Sequence, residues 1–168
     1  MITDIIDNFL DPRELAYVKD AFSTLEYKPA VGVSGEELDG DIPHWNFYCI
    51  KQIYQNDEPA HETWGVIRDM FLPKFNLACE YKTMLRVKAN FYPYCETFHK
   101  HPWHIDQEYD HQGAIFALNT CNGFTEFEDG TKIDSVENRL FLFNPSVKHR
   151  STNTTNAMGR FNINFNFF

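Results

Sequence analysis

The second half of the chain constrains the fold most, because after about residue 80 it becomes a series of short strand-like runs separated by turns. The segment Glu128-Asp129-Gly130 is a strong turn signal between two of these runs. The runs lie at residues 83–92, 103–106, 113–118, 124–127, 131–136, 139–143 and 159–167. A succession of this kind predicts a β-barrel or a β-sandwich.

A helix is predicted ahead of these strands, within residues 7–25. Asp11 is placed to cap this helix, Pro12 suits its first turn, and Glu14 stands at the capping-box offset. An apolar face follows at helical spacing, formed by Leu15, Val18 and Phe22. The pattern therefore predicts an amphipathic helix with a defined start.

The region between this helix and the run of strands divides into three parts. Residues 28–41 are Gly-rich and polar, which indicates a loop, whereas residues 42–54 have strand character. Residues 58–75 follow a helical pattern, with Pro73 near the predicted end. The inward-facing residues of this second helix would be Trp64, Ile67 and Phe71. Two helices before a run of strands predict a mainly β (α+β) fold, in which the N-terminal helices pack on the outside of a barrel or sandwich.

The overall composition is that of a compact protein with ample material for a core. The chain has 168 residues, of which 43% are apolar and 16% aromatic. These values suit one domain over residues 1–168 and argue against disorder. The net charge of -9 argues against non-specific binding to a nucleic-acid backbone, so a nucleic-acid partner is not expected.

The cysteines and the N-terminal segment bear on the cellular location. The cysteines are Cys49, Cys79, Cys95 and Cys121, which form no CxxC pair and are typical of reduced thiols. The first ten residues lack the basic, uninterrupted apolar pattern of a signal peptide, and no run approaches the length of a membrane span. We therefore expect a cytoplasmic protein without a membrane partner.

The last strand-like run alternates between two chemically different faces. One face carries the apolar residues Phe161, Ile163, Phe165 and Phe167. The other face carries Arg160, Asn162, Asn164 and Asn166. Either the apolar face packs against the helices while the polar face lines a ligand-holding lumen, or the strand is half exposed with its polar face in water.

A candidate metal site is formed by His104 and Asp106, which are two positions apart, together with His149. Two positions apart in a strand, the first two side chains would project to the same side. Two imidazoles and one carboxylate can occupy one face of a ferrous ion and leave about three coordination positions open. Arg160 follows, and a guanidinium there could hold the far carboxylate of a keto-acid co-substrate.

Each of these residues also has an ordinary structural interpretation. An HxD pair arises readily by chance in a chain with seven histidines. Taken alone, His149 is more typical of a histidine in a surface loop, and Arg160 of a surface charge. The four residues in this order, on the strands of a β-rich half, favour the metal site. The apolar run from Leu140 to Phe143 is predicted to be core.

Several motifs together resemble a known family. They are "LRVKANFYP", "WHIDQ", "AIFALNTCNGFTEFEDGTKIDSVENRLFLFNPSVKHRS" and "GRFNINF", and the opening "DNFLDPREL" fits the usual start of such domains. From about Leu85 onward the chain resembles the non-haem Fe(II) and 2-oxoglutarate-dependent oxygenases, closest to small bacterial and phage members related to the prolyl hydroxylases. A phage gene would place the protein in the host cytoplasm.

The resemblance implies a fold, a reaction and roles for individual residues. The fold would be a double-stranded β-helix, a cupin-like jelly roll with iron at its mouth. The enzyme would be a dioxygenase that uses Fe(II), 2-oxoglutarate and O2 to hydroxylate its substrate. His104, Asp106 and His149 would be the catalytic iron ligands, and Arg160 would pair with the distal carboxylate of 2-oxoglutarate.

Further residues of the co-substrate pocket follow from the same resemblance. Tyr92 matches a position where relatives often place a tyrosine that hydrogen-bonds 2-oxoglutarate, and Asn90 and Asn162 are further candidates. Prolyl hydroxylases commonly carry an aromatic hydroxyl where this chain has Ala117, so the pocket must be completed differently. If Arg160 does not hold the carboxylate, Arg86 and Lys88 are the next candidates.

The remaining charged residues near the motif are assigned no ligand role. His99 and His101 are predicted to lie in a mobile lid or loop, and Arg150 to be an exposed charge. The substrate is expected to be a small molecule or a peptide, with a peptidyl proline or another protein side chain as the first hypothesis. The alternatives are a cupin-like barrel that binds metal or ligand without turnover, and a hydroxylase of nucleotides or nucleobases.

Overall fold

The computed structural model describes residues 2–31 and 44–168, which form a mainly β structure with two antiparallel sheets. The strands are β1 (Ile2–Ile6), β2 (Lys28–Val31), β3 (Phe47–Gln55), β4 (Glu58–Pro59), β5 (Met84–Pro93), β6 (Gln112–Ala117), β7 (Phe124–Phe127), β8 (Lys132–Asp134), β9 (Leu140–Phe143), β10 (His149–Ser151) and β11 (Gly159–Phe167). The larger sheet has the order β1-β9-β6-β11-β5-β3-β2, with β4 paired to β3. The smaller sheet has the order β10-β7-β8.

The two sheets pack against each other through an apolar cluster of their own. Its buried members are Ile115, Phe127, Ile133, Phe141 and Phe143, which come from β6 and β9 of the large sheet and from β7 and β8 of the small one. Leu140 and Leu142 also lie buried, so the predicted core run is confirmed. A layer of apolar side chains between facing sheets is the arrangement expected for a jelly roll.

The first helix, α1 (Pro12–Ser23), begins where the sequence predicts. The Asp11 side chain accepts a hydrogen bond from the Glu14 amide at 3.0 Å, and the Glu14 carboxylate accepts one from the Asp11 amide at 2.9 Å. This reciprocal capping box satisfies amides that the first turn leaves without helical partners. Val18 and Phe22 are buried, and Leu15 packs against the same core.

The second helical region begins later, ends later and is less regular than its sequence pattern predicts, and Glu58–Pro59 at the predicted start form β4 instead. It consists of α2 (Trp64–Val66), a π-helical segment (Ile67–Phe71) and α3 (Leu72–Cys79). The prediction that the helix ends near Pro73 is wrong, because this proline lies in the first turn of α3. A first-turn proline leaves no helical hydrogen bond unmade, and the wider π turn before it lets the chain continue.

Strand β11 is buried on both of its faces. On the apolar face, Phe165 stacks on Phe71 and Phe75 of the helical region, with ring centroids 4.8 and 5.2 Å apart. On the polar face, Asn162 and Asn166 are 1% and 2% exposed. The half-exposed interpretation of this strand is therefore wrong, and its polar face lies inside the protein, as the lumen interpretation requires.

The sequence pattern failed for several segments. Residues 103–106 form no strand, and His104 makes only an isolated bridge with His149. Lys28–Val31 is a strand where a loop was predicted, and the rest of that predicted loop, residues 32–41, lies outside the described residues. β1 and β10 were not predicted as strands at all. Their sequences, ITDII and HRS, do not alternate between polar and apolar residues, so their strand structure depends on pairing with a neighbouring strand.

Among the described helices, none has the length and apolar character that a membrane crossing requires.

Candidate metal centre

His104, Asp106 and His149 converge, although the first two do not lie in a strand. Each of the three offers one ligand atom, and these atoms all lie within 4.8 Å of one another. The backbone holds the histidines in place, because the His104 amide donates to the His149 carbonyl at 3.0 Å and the reverse bond is 2.9 Å. The Asp106 amide donates to the Pro145 carbonyl at 3.0 Å. The loop carrying the HxD pair is thus fastened to β10.

The hydrogen bonds of the two imidazoles set their tautomers. Nδ1 of His149 lies 2.9 Å from the Val147 carbonyl oxygen, and Nδ1 of His104 lies 3.3 Å from the Pro102 carbonyl oxygen. A carbonyl only accepts, so each Nδ1 carries the proton. Each Nε2 then keeps its lone pair for a metal, and the backbone fixes the ring orientation.

The electrostatic surroundings keep both imidazoles neutral and the carboxylate ionised at neutral pH. Burial, reinforced by the neighbouring His149, lowers the pKa of His104 to about 4, and burial also lowers the pKa of His149. Burial alone would raise the pKa of Asp106. Arg86, with help from Lys88 and other neighbours, outweighs that effect and holds this pKa well below its usual range. Neutral imidazoles and an ionised carboxylate are the forms that bind a divalent cation.

A network behind Asp106 holds the carboxylate in position. Nδ2 of Asn166 donates to Asp106 Oδ2 at 2.8 Å and to His111 Nε2 at 3.1 Å, while Arg86 Nε donates to Asn166 Oδ1 at 2.9 Å. Arg86 also lies 3.3 Å from Asp106 Oδ2 as an ion pair. His111 in turn donates through Nδ1 to the Tyr109 carbonyl. Sequence analysis gave no role to His111, because its part depends on a contact across 55 positions of sequence.

The three residues line a small, largely enclosed cavity of about 30 Å³. Its lining is mostly polar and consists of Tyr48, Lys88, Asn90, Tyr92, His104, Asp106, Ile115, His149, Ser151 and Asn164. The Oδ1 atoms of Asn90 and Asn164 are buried there without a hydrogen-bond partner. Unpartnered buried oxygens are costly, so they favour a hydrogen-bond donor in the cavity, either water or a ligand.

Arg160 lies deeper than the cavity and does not belong to its lining. The residue is 2% exposed, and its guanidinium donates to the Phe124 carbonyl at 2.9 Å and to Thr125 Oγ1 at 2.8 Å. Its carbon Cζ lies 5.4 Å from the centre of the Tyr92 ring, and Nε has no partner. The hydroxyl of Tyr92 donates to Ser151 Oγ at 3.0 Å. Tyr92 therefore separates the guanidinium from the cavity.

The two asparagines predicted for the pocket differ in position. Asn90 lines the cavity, whereas Asn162 lies behind it and accepts a 2.8 Å hydrogen bond from Asn90 Nδ2. Asn162 is also paired with Ala117 across β11 and β6. Because the side chain of Ala117 is small, the polar groups in this part of the barrel are the side-chain amides of the two asparagines and not an aromatic hydroxyl.

Lys88 is the cation that does line the cavity. Its Nζ lies 3.5 Å from the Tyr48 hydroxyl and 5.5 Å from the centre of that ring. Burial, together with the nearby charge of Arg86 and against that of Asp106, lowers the pKa of Lys88 to about 8. Sequence analysis named this lysine only as a substitute for Arg160, because a single strand residue does not reveal which cavity it lines.

His101 lies in a loop, as one form of the prediction had it, but its side chain is 1% exposed and so does not belong to an open lid. Its ring packs on those of Tyr92 and Tyr48, with centroids 5.4 and 6.4 Å away, and Nδ1 lies 3.2 Å from Asn46 Oδ1. Burial lowers its pKa to about 4. His101 is thus part of the aromatic wall that closes the cavity.

Arg150 and His99 each stack on a tryptophan. The Arg150 guanidinium stacks on Trp103 at 4.0 Å and pairs with Glu126 at 2.7 Å, so it is not the freely exposed charge that was expected. The His99 ring stacks on Trp45 with centroids 4.5 Å apart.

No protein-family model and no curated protein matches the sequence. The fold, in contrast, is shared with several solved structures. A prolyl hydroxylase from Trichoplax adhaerens, in complex with a peptide fragment of the hypoxia inducible factor oxygen degradation domain, has a TM-score of 0.65 at 18% identity, over 98% of this chain and 82% of that one.

Two further structures show how broadly the fold is used. An oxidoreductase of the 2OG-Fe(II) oxygenase family from Burkholderia pseudomallei has a TM-score of 0.67 at 13% identity, over 97% of this chain and 83% of that one. The non-heme alpha ketoglutarate dependent epimerase SnoN from nogalamycin biosynthesis has a TM-score of 0.67 at 12% identity, over 98% and 76%. The jelly-roll fold predicted by resemblance is confirmed. At these identities the likeness establishes the fold, and the reaction has to be argued from the site.

Proposed function

We propose that this protein is an Fe(II)- and 2-oxoglutarate-dependent dioxygenase that hydroxylates its substrate. The observation that carries the proposal is the convergence of His104, Asp106 and His149, with ligand atoms within 4.8 Å, inside a jelly roll shared with such oxygenases. Two neutral imidazoles and one carboxylate, supplied from one side, suit ferrous iron and leave positions open. When bound, iron and 2-oxoglutarate supply the oxidising chemistry, which uses O2.

The fit of these residues to the metal rests on more than their proximity. The backbone acceptors of both Nδ1 atoms direct each Nε2 towards the shared point, and Asn166 and Arg86 hold Asp106 from behind. Such supporting contacts fix ligand orientation before the metal arrives. The residues therefore bind and orient, and none needs to act as a general base.

Arg160 is the proposed anchor for the distal carboxylate of 2-oxoglutarate. No carboxylate oxygen of the described residues lies within 4.0 Å of it, and its Nε lacks a partner. A buried guanidinium in this state favours an incoming anion. A cavity of about 30 Å³ suits a few water molecules, so a diacid requires Tyr92 to turn away from Arg160. Tyr92 and Asn90 would then hydrogen-bond the co-substrate, with Asn162 holding Asn90.

A spectroscopic titration tests the proposal directly. Anaerobic addition of Fe(II) and then 2-oxoglutarate to the wild-type protein is expected to develop a weak visible charge-transfer band. The band should be absent in His104→Ala and Asp106→Ala, and present in His61→Ala, a histidine that contacts Thr63 far from the site. A band that persists without His104 or Asp106 would remove them from the metal centre.

Turnover separates the enzyme from a non-catalytic barrel. Under air, wild-type protein with Fe(II) and 2-oxoglutarate should form succinate, even slowly and without added substrate. A protein that develops the band but never forms succinate would instead be a metal- and ligand-binding barrel.

A further inference from the structure

Two cations on the polar side of β5 and β11 form no ion pair with the described residues. This side forms a ladder of cross-strand pairs, which we call the polar ladder: Arg86–Asn166, Lys88–Asn164, Asn90–Asn162 and Tyr92–Arg160. Arg86 pairs with Asp106. Within the described residues, no carboxylate oxygen lies within 4.0 Å of Lys88 or Arg160. An unpaired cation with little access to water is costly, so each of the two favours an anion that the described residues do not supply.

2-Oxoglutarate can satisfy only one of these two cations. If one of its carboxylates is taken up at the metal, a single carboxylate remains for Lys88 or Arg160. The two cations differ in access, because Arg160 is fully buried whereas Lys88 keeps some contact with solvent. They also differ in position, since Lys88 is one step along the polar ladder from the pair that holds Asp106 and Arg160 is three steps from it. Arg160, the more deeply buried cation, therefore suits the second carboxylate of 2-oxoglutarate. Lys88 then remains without an anion beside the metal site.

The balance of charge around the cavity also favours an anion at Lys88. Among the described residues that line the cavity, Asp106 is the one carboxylate, whereas Lys88 lines it and Arg86 lies beside them. With a ferrous ion bound, the positive charges of the metal, Arg86, Lys88 and Arg160 would exceed that of Asp106. The two charges of 2-oxoglutarate do not remove the excess. A carboxylate group is therefore favoured beside Lys88 and the metal, whatever the net charge of the molecule that carries it.

The neighbours of Lys88 define the rest of the molecule that would bind there. Asn164 faces Lys88 across the polar ladder, and its Oδ1 is buried without a donor, as is Oδ1 of Asn90 one step further. Two unpartnered acceptors beside an unpartnered cation match a group of N–H donors beside a carboxylate. A free amino acid presents these two groups on one carbon, whereas a prolyl residue inside a peptide presents neither.

We propose that the primary substrate carries a carboxylate next to an amine, as a free amino acid does, and that Lys88 binds this carboxylate beside the metal. The proposal rests on the proposed function and names its substrate class. It replaces the peptidyl proline suggested by resemblance. An aspartyl or glutamyl side chain within a peptide offers the same carboxylate without the free amine, and the experiment distinguishes the two sources.

Binding to Mn(II)-loaded protein saturated with 2-oxoglutarate tests the proposal without turnover. The probes are the twenty free L-amino acids, their C-terminal amides, and acetyl-aspartyl and acetyl-glutamyl amides. Thermal midpoints screen the panel, and calorimetry measures Kd for each probe that raises the midpoint. We expect at least one free amino acid to bind and its amide to bind far more weakly, because the amide lacks the negative charge.

Variants of Lys88 assign the effect to that residue. Lys88→Met should weaken the bound amino acid by roughly 10- to 100-fold, the range for losing a charge-assisted hydrogen bond, while Lys88→Arg retains most of the affinity. The affinity for 2-oxoglutarate should change by less than about twofold in both. Lys51→Met is the matched control, because Lys51 pairs with Ala89 and so lies on the opposite face of the same sheet. It should bind as the wild type does.

Four outcomes would overturn the inference. They are a panel in which no probe binds, amides that bind as well as acids, binding confined to the acetylated side-chain probes, and a Lys88→Met variant that loses 2-oxoglutarate instead of the amino acid. Failure of the proposed function gives a different result, because 2-oxoglutarate itself then fails to bind the wild-type protein.

Discussion

The two faces of β11 are buried to a similar extent but have different roles. The face that carries Phe165 stacks on aromatic rings of the helical region, and its burial stabilises the fold. The face that carries Asn164 and Arg160 includes polar atoms without partners, and its burial costs stability. A chain that keeps such a face buried is expected to use it for binding. The contrast separates residues that hold the barrel together from residues that make it a site.

The largest effect is expected on the apolar face. Phe165→Ala should lower the free energy of unfolding by about 3–5 kcal/mol, because it leaves a cavity among packed rings. Chemical denaturation measures this loss. A loss below about 1 kcal/mol would contradict the assignment of this face to the core. Phe168→Ala is the control, since Phe168 is 42% exposed and its loss should cost little.

The residues on the polar side should make the free energy of unfolding depend on pH, whereas those on the apolar face should not. Burial lowers the pKa of His101 to about 4, so between about pH 6.5 and 4 the unfolded chain binds a proton that the folded chain does not. Stability of the metal-free protein is therefore full above about pH 6.5 and falls as the pH drops towards 4, by about 3 kcal/mol for His101 alone.

Denaturation of wild-type and His101→Asn proteins across this pH range measures the effect. The variant should lose less stability than the wild type as the pH falls. Equal slopes in the two proteins would mean that His101 is protonated without cost and is not buried as described.

Arg160 should matter for binding more than for folding. Arg160→Met is expected to weaken 2-oxoglutarate binding roughly 10- to 100-fold while Mn(II) affinity stays within about threefold, because the guanidinium is far along the polar ladder from Asp106. Calorimetry with each ligand makes the comparison. Unchanged 2-oxoglutarate affinity would transfer the anchoring role to Lys88.

The smallest effect on stability is expected at Asn164. Asn164→Leu should leave the free energy of unfolding within about 1 kcal/mol of wild type or raise it, because it removes a buried oxygen that has no partner. Denaturation measures this, and the same variant should bind substrate less well. A loss of stability as large as that of Phe165→Ala would contradict the assignment of different roles to the two faces.

Local patterns carried much of the prediction. The capping box of Asp11 and Glu14 involves neighbours in sequence, and β7 and β11 were placed at their observed bounds because alternation and turn signals are local. The metal residues were brought together by order and spacing, although His104 and Asp106 lie in a loop rather than in the predicted strand. Edge strands such as β1 were not predicted, since only hydrogen bonding to a neighbouring strand makes them strands.

The sequence by itself determined the mainly β class, the first helix, the two-faced last strand and the set of residues that could hold a metal. These follow from periodicity, capping and ligand chemistry, which act over a few residues. The tertiary structure decided that Arg160 lies behind Tyr92, that His101 packs on the aromatic wall of the cavity and that Lys88 lines the same cavity as Asp106. Those relations join strands far apart in sequence, and only packing determines which side chains share an enclosed space.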